Sequence, residues 1–258
     1  MTTDHIEVEQ DGGVLEITFA RPEKKNALSN AMYRAVTAAL DAAEKDPDIR
    51  VVLFAARGDD FTAGNDLADF ADIAAGKSAD LAASAFIEAL GRASKPIVAA
   101  VSGLAVGIGT TMLLHCDLVF MADGARLLTP FANLALVPEA ASSLLLPDRI
   151  GHVRAFAMFA LGEPMSAAEA FSCGLANKLL PREEVLPAAR QAARTLAARP
   201  PGSITATKTL MRDKERIASR MAEEGAAFAE RLQTSEAREA FQAFFERRKP
   251  DSTQGGRS

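Results

Sequence analysis

The sequence predicts an α/β fold, and three observations carry the prediction. Short apolar runs rich in β-branched residues, the pattern of buried strands, occur at 50–56 and 96–101. Stretches of helical periodicity lie between and around them, so strands and helices alternate through the first half of the chain. The chain has 258 residues, 48% of them hydrophobic. A chain of that length buries roughly three quarters of its unfolded surface, so its core needs no staples.

The elements follow in order. Residues 5–19 alternate apolar and polar around Asp11, Gly12 and Gly13, which predicts a hairpin ended by Arg21 and Pro22. Ser29 is a good N-cap for a helix with Met32, Val36, Leu40 and Ala43 on one face, closed by Asp46, Pro47 and Asp48. The 50–56 strand turns at Gly58. The 96–101 strand breaks at Ser102 and Gly103, and Gly107 and Gly109 open an apolar helix that ends near Cys116. Strands are predicted at 117–121 and 126–129. From about residue 150 the chain reads as helical. Ser166 and Glu169 have capping-box spacing, Cys173 and Gly174 suit a helix stop, and 175–180 suits a short strand. A helix over 183–199 stops at Pro200 and Pro201, and the charge-rich remainder is helical up to Arg248, with Met221, Phe228, Leu232, Phe241, Phe244 and Phe245 as candidate apolar contacts. The simplest division is an α/β core over 1–200, a helical extension over 201–250 and a disordered tail over 251–258.

Composition excludes several classes. A net charge of -5 with 48% hydrophobic residues is not that of a disordered chain. The sequence holds no apolar run of about 18 residues, the length of a membrane span. The acidic balance, the absence of Trp and the single Tyr33 argue against nucleic acid as a partner. Cys116 and Cys173 form no disulfide framework, and the start of the chain shows no secretory signal, so a reducing cytoplasm is the expected compartment. His5, His115 and His152 lack metal-ligand spacing, so packing or surface roles are expected and no metal.

Phosphate-loop, nucleophile-elbow and HExxH patterns are absent, and the Gly107–Met112 run is an incomplete dinucleotide fingerprint. Two loops hold more chemistry. Residues 61–67 (Phe-Thr-Ala-Gly-Asn-Asp-Leu) follow one strand, and residues 103–109 (Gly-Leu-Ala-Val-Gly-Ile-Gly) follow the next. Each places Gly at a strand-to-helix turn, where the backbone either simply turns tightly or exposes free N–H groups. Two such ends aimed at one point bind a developing oxyanion.

Taken in order, these segments resemble the crotonase, or enoyl-CoA hydratase/isomerase, superfamily over nearly the whole chain. The matching pieces include Arg21, Pro22 and Asn26 to Leu28; the 61–67 run; Lys95 through Gly107; Cys116 and Asp117; and Thr129 and Pro130. The resemblance implies a crotonase-like spiral of ββα units with a helical C-terminal region, a homotrimer or hexamer, and an acyl-CoA thioester ligand. Coenzyme A enters as part of the substrate, and no other cofactor is implied. The thioester oxygen is held in this family by two backbone N–H groups, which fall on Asn65 and Ile108. The family commonly has Gly where Ile108 stands; a main-chain donor tolerates the change, but the branched side chain narrows the pocket.

The hydratases of the family use two glutamates, and those positions here read Thr111 and Phe131. Neither exchanges a proton at neutral pH, so the usual hydration pair is missing. The segment 129–143 looks instead like the peroxisomal-type Δ3,Δ2-enoyl-CoA isomerases, where one glutamate moves the proton; the match is Glu139. Its apolar neighbours would raise its pKa. Read from the residues alone, Glu139 equally suits the first turn of a helix after Pro138. The implied reaction is a one-glutamate shift of a double bond from C3 to C2 of an acyl-CoA. Enoyl-CoA hydration, or a non-catalytic acyl-CoA-binding paralogue, are the alternatives.

For the substrate and CoA, the resemblance points to Arg21, Lys24, Lys25 and Ala27 at the nucleotide end. It points to Ala63, Gly64, Asp66, Leu67, Gly107 and Phe131 around the thioester and acyl group. The basic turn at 21–25 reads equally well as a solvated surface. Arg247, Arg248 and Lys249 suit a neighbouring subunit's ligand. Asp66 reads as a helix cap, Asp69 and Asp72 as a solvated helix face, Asp117 as a turn residue, and Asn133 as loop packing or a substrate contact.

Overall fold

The computed structural model describes residues 2–3, 5–66, 69, 82–246 and 248. Its strands are β1 (Thr2–Thr3), β2 (Ile6–Asp11), β3 (Val14–Phe19), β4 (Val51–Ala56), β5 (Ile97–Val101), β6 (Leu104–Val106), β7 (Leu118–Ala122), β8 (Arg126–Leu128), β9 (Met165–Ser166) and β10 (Lys178–Leu180). Its α-helices are α1 (Asn30–Lys45), α2 (Ala82–Arg92), α3 (Ile108–Thr111), α4 (Ser142–Ile150), α5 (His152–Phe156), α6 (Ala167–Ser172), α7 (Arg182–Ala197), α8 (Pro201–Met211), α9 (Lys214–Leu232) and α10 (Ser235–Phe245).

The large sheet runs β1-β2-β3-β4-β5-β7-β10. The β2–β3 hairpin is antiparallel, with Val8 opposite Ile17, and every later pair is parallel. Strands β4 and β5 are buried along almost their whole length, as parallel strands covered on both faces must be. Helix α7 lies along β4, β5 and β7, while Phe54 of β4 meets Phe86 of α2 edge-on.

A second, smaller sheet runs β6-β8-β9. It is extended by two single-residue bridges, Thr62 to Ala105 and Leu28 to Asn65. Each turn of the chain therefore lays a long strand in the large sheet and a short one in the small layer: β4 then Thr62, β5 then β6, β7 then β8. This is the expected spiral of ββα turns. Strands β6 and β9 were not visible as alternation, because three and two residues carry no period. Helix α4 begins eight residues before the predicted helical half. It has no side-chain cap of its own, starts from Ala141 in the left-handed region and contains Pro147, so it lacks the usual start signals. The Ser29 cap and the Ser166–Glu169 capping box form as predicted.

Helices α8 and α9 are tied back to the sheet by buried polar contacts. Lys208 of α8 is 5% exposed and donates to the Lys95 carbonyl and to Asp117 Oδ2, both at 2.8 Å. The same Asp117 oxygen accepts the Ile97 N–H at 2.7 Å, so Asp117 does more than fix a turn. Among the described residues no helix is long and apolar enough to cross a membrane, and no cluster of His, Cys, Asp and Glu suits a metal.

Asn26 locks the turn between β3 and α1 to the turn after β4. It is fully buried in the left-handed region at φ 55°. Its Oδ1 accepts the Arg21 N–H at 2.8 Å, and its Nδ2 donates to the Arg57 and Asp60 carbonyls at 2.9 and 2.8 Å. Asn26→Ala takes the side-chain partner from three main-chain groups, leaves a cavity at a fully buried position and puts Ala at positive φ. Urea unfolding is expected to show a loss of roughly 3 kcal/mol with unchanged m-value.

Candidate active site

The site is built where the two Gly-bearing loops meet edge to edge. Phe61 and Thr62 N–H groups both donate to the Leu104 carbonyl at 2.9 and 3.0 Å, and the Val106 N–H donates back to the Thr62 carbonyl at 3.0 Å. Gly64, at φ 85°, passes so close that a Cβ there would lie 2.6 Å from the Val106 carbonyl oxygen. Gly107 takes φ 55° as it turns β6 into α3. The Gly64 carbonyl accepts from Leu28, and the Asp66 N–H donates to Leu28 at 2.9 Å, which leaves the intervening Asn65 amide pointing away from the ladder. Among the described residues, neither the Asn65 nor the Ile108 main-chain N–H has an acceptor. Helix α3 has only four residues, so what it offers is orphan N–H groups rather than a summed dipole.

These loops border a cavity of about 1360 Å³ lined by Lys25, Ala63, Asn65, Gly107 and Phe131. Helices α9 and α10 contribute Phe228, Phe241 and Phe244 to its wall. Ile108 is fully buried beneath it. Asn133, the open case, also lines it.

Not all predicted contacts face this cavity. Arg21 is occupied as a clasp: its Nη1 donates to the Ala27 carbonyl at 3.1 Å and to Asp66 Oδ2 at 2.7 Å. Arg21, Ala27 and Asp66 thus hold the first loop against the turn before α1, a supporting role that the phosphate-binding expectation for Arg21 did not include. Lys24 is exposed and does not reach the cavity wall, whereas Lys25 does. Gly64 lies behind Ala63 and Asn65 against Val106. Asp69, expected on a solvated face, instead accepts the Asn30 N–H at 2.8 Å at the start of α1. Leu67, Asp72, Arg247, Lys249 and the 251–258 tail lie outside the described residues.

Glu139 stands one step further in. It is 7% exposed, and Thr111 Oγ1 donates to its Oε1 at 3.3 Å. Thr111 lies about 4.5 Å along the axis of α3 from Ile108, so the carboxylate is tied to the same short helix as that amide. Burial pushes the carboxyl up to about 7; the Thr111 hydroxyl pulls the other way and the nearby Glu224 charge adds to the rise. Glu139 itself opens into a neighbouring cavity of about 720 Å³ between α2 and α9, and Phe228 borders both cavities.

Sequence reasoning missed Tyr33. Its hydroxyl donates to the Asn65 side-chain oxygen. Burial and the Glu139 charge hold this phenol well above its ordinary pKa, so it stays protonated as a donor. The one available signal was that the chain's single tyrosine sits on the buried face of α1 beside Met32 and Val36.

The sequence profile of the enoyl-CoA hydratase/isomerase family matches residues 9–255. The chain belongs to that family. A crystal structure of an enoyl-CoA hydratase/isomerase from Pseudoalteromonas atlantica superposes with a TM-score of 0.91 at 40% identity, covering 96% of this chain and 99% of that one. Enoyl-CoA delta isomerase 3, peroxisomal, of Mus musculus is 34% identical over 94% of this chain and 78% of its own length. The 2,3-dehydroadipyl-CoA hydratase of Escherichia coli is 31% identical over 92% of this chain and 94% of its own length. The chain spans 55% of the length of the enoyl-CoA delta isomerase 2 of Rattus norvegicus, which is 35% identical to it.

Within this family member the Gly64–Val106 contact sets the spacing of the two free amides. Gly64→Ala drives a methyl group into the Val106 carbonyl and separates the loops. Urea unfolding is expected to show a loss of about 1–3 kcal/mol, the scale of forcing an extra methyl group into a packed contact.

Proposed function

We propose that this chain is a Δ3,Δ2-enoyl-CoA isomerase acting with Glu139 as its single proton carrier. The observation that carries the reading is one buried carboxyl near neutral pKa, tied through Thr111 to the helix whose first amide is free. By the family resemblance, Thr111 and Phe131 stand where hydratases have their two glutamates, so the acid/base pair for hydration is absent.

The acyl-CoA thioester lies in the large cavity with its carbonyl oxygen against the Asn65 and Ile108 N–H groups. Glu139 takes a proton from C2 of the 3-enoyl thioester. The C2–H electron pair becomes the C1–C2 double bond of a dienolate, and the negative charge on oxygen is stabilised by the two amides. The protonated Glu139 then delivers the proton to C4, the electrons re-form the carbonyl, and the double bond is left between C2 and C3. Tyr33 orients Asn65 by donating to its side chain. Lys25, on the cavity wall, suits the phosphates of CoA, whereas Arg248 on the same wall is held by Glu239 and Glu246. No group beyond the substrate's CoA takes part. We further infer a homotrimer or hexamer in the cytoplasm: Val153, Phe156 and Leu161 are 81, 59 and 67% exposed, apolar surface that a second copy would cover.

Glu139→Gln keeps size and hydrogen bonding but accepts no proton. Conversion of 3-enoyl-CoA to 2-enoyl-CoA is expected to drop by at least about 10²-fold, with acyl-CoA affinity little changed. Near-normal turnover by this variant removes Glu139 from the mechanism. Appearance of 3-hydroxyacyl-CoA from 2-enoyl-CoA with the unaltered protein would make it a hydratase, and saturation without turnover a binding module.

The same burial costs stability. Below pH 4.5 the carboxyl is protonated in folded and unfolded chains alike. As pH rises toward about 7, the unfolded chain ionises first, and stability falls. The loss levels off above pH 7 at roughly 3 kcal/mol, from 1.36 kcal/mol per pKa unit. Glu139→Gln escapes it, so thermal melts are expected to place the variant above the parent at pH 8 and level with it at pH 4. Turnover of the parent has the opposite sign: it rises through pH 7 as the base ionises.

A further inference from the structure

Glu139 is followed by two non-glycine residues in the left-handed region, Ala140 at φ 59° and Ala141 at φ 54°. Both are buried, and nothing in their side chains favours this conformation. Contacts from elsewhere must hold it, and the structure shows them on two sides.

On one side, His115 Nε2 lies 2.8 Å from the Ala140 carbonyl, and Arg212 Nη2 lies 2.9 Å from His115 Nδ1. Arginine only donates, so Nδ1 is the acceptor and Nε2 carries the hydrogen given to Ala140. Burial and the Arg212 charge push His115 down to about 3, which keeps it neutral.

On the other side stands Glu224 of α9, 81 residues beyond Ser143 in the chain. Its Oε1 accepts the Ser143 N–H at 2.8 Å in the first turn of α4, and the Ala141 N–H also serves it. Helix α4 has no cap of its own, so Glu224 supplies one from a distant helix. The Ser142 N–H in the same turn donates to the Glu139 carbonyl at 3.0 Å. Glu224 is 6% exposed, and the buried Ser142 hydroxyl beside it has no hydrogen-bond partner among the described residues.

We propose that Glu224 is a positioning residue for Glu139: by accepting the Ser143 N–H it holds the left-handed turn that carries the catalytic carboxylate, and it brings a second carboxylate to that turn. The proposal rests on Glu139 as the proton carrier. A carboxylate used solely as a helix cap gains nothing from lying beside another buried carboxylate, since like charges there repel. Placed beside a base, the repulsion keeps the base proton-seeking near neutral pH. The other titratable groups around Glu139 are Tyr33 on α1, which stays neutral, Glu88 and Arg92 on α2, and Lys214 and Glu215 on α9. Arg220 faces Glu224, and Arg212 stands behind His115. None of these changes between the variants below.

The test compares the pH dependence of kcat for the parent, Glu224→Gln and Glu224→Ala. Gln keeps an acceptor for the Ser143 N–H and removes the charge. The acid limb of its profile is expected to move to lower pH by about half a unit or more, because Glu139 loses a like-charged neighbour. Glu224→Ala also loses the cap; its kcat is expected to fall about tenfold with KM within about twofold, and Gln to recover most of that loss. An acid limb of Glu224→Gln that coincides with the parent's or moves up overturns the proposal, and this holds even if Glu224→Ala does not fold. A purely structural Glu224 would lower melting temperature and leave the limb in place. Glu139→Gln is assayed alongside. If it is active, the proposed function fails; if it is inactive and the limb is unmoved, this inference alone fails.

Discussion

The close approach of Gly64 to the Val106 carbonyl is the contact on which the site depends. It allows two loops from successive turns of the spiral to run side by side, with main-chain hydrogen bonds from Phe61, Thr62 and Val106 closing the gap. Only a residue without a Cβ fits there, and only one at ease with positive φ. Once the loops are zipped, the amides of Asn65 and Ile108 find no acceptor among the described residues. The free N–H groups are thus a consequence of pairing everything around them. Asn26 serves this arrangement from behind: its carbonyl accepts the Thr62 hydroxyl at 2.7 Å, and its side chain fixes the two turns that launch the first loop.

The acid/base side of the site follows a different logic. What the two glycine-bearing loops offer is main-chain N–H groups, and Asn65 and Ile108 present them whatever side chain they carry. Glu139 is side-chain chemistry in a dry setting, and its proton affinity is set by what surrounds it. Desolvation dominates, Thr111 opposes it, and Glu224 reinforces it. A single donated hydrogen bond at 3.3 Å is too little to offset burial. The fold is working against its own stability at this position and keeps Glu139 in place through contacts made by distant segments.

How much of this was legible in the sequence follows from the range of the interactions. The hairpin, the Ser29 cap, the capping box at Ser166 and the buried strands β4 and β5 rest on neighbours in sequence, and each could be read. The pairing of Gly64 with Val106 spans the whole of α2 and β5, so spacing showed two glycine turns but not that they touch. Arg21 looked like a phosphate ligand because its neighbours Lys24 and Lys25 are basic; its partner Asp66 is 45 residues away. Thr111 was read as a missing glutamate and proves to be the hydrogen-bond partner of Glu139. Glu224 sits in a charge-rich helix where a buried carboxylate looks like any exposed one. Tyr33 was hidden as one more apolar position on an amphipathic face.

The C-terminal helices join these two halves of the site to the sheet. Lys208 and Arg212 are fixed to the segments that lead into β5 and β7 through the Lys95 carbonyl, Asp117 and His115. From that anchor α9 runs on past α2 and α4, and it carries Glu224 to the turn after Glu139 and Phe228 to the wall shared by both cavities. A buried lysine gives up hydration, and here two charge-assisted contacts to carbonyl and carboxylate compensate it. An apolar contact at the same place would hold α8 as firmly but would leave its axial register free to slide by a turn. The directional bonds to His115 and Asp117 fix that register, and with it the position of a carboxylate twelve residues further along the chain.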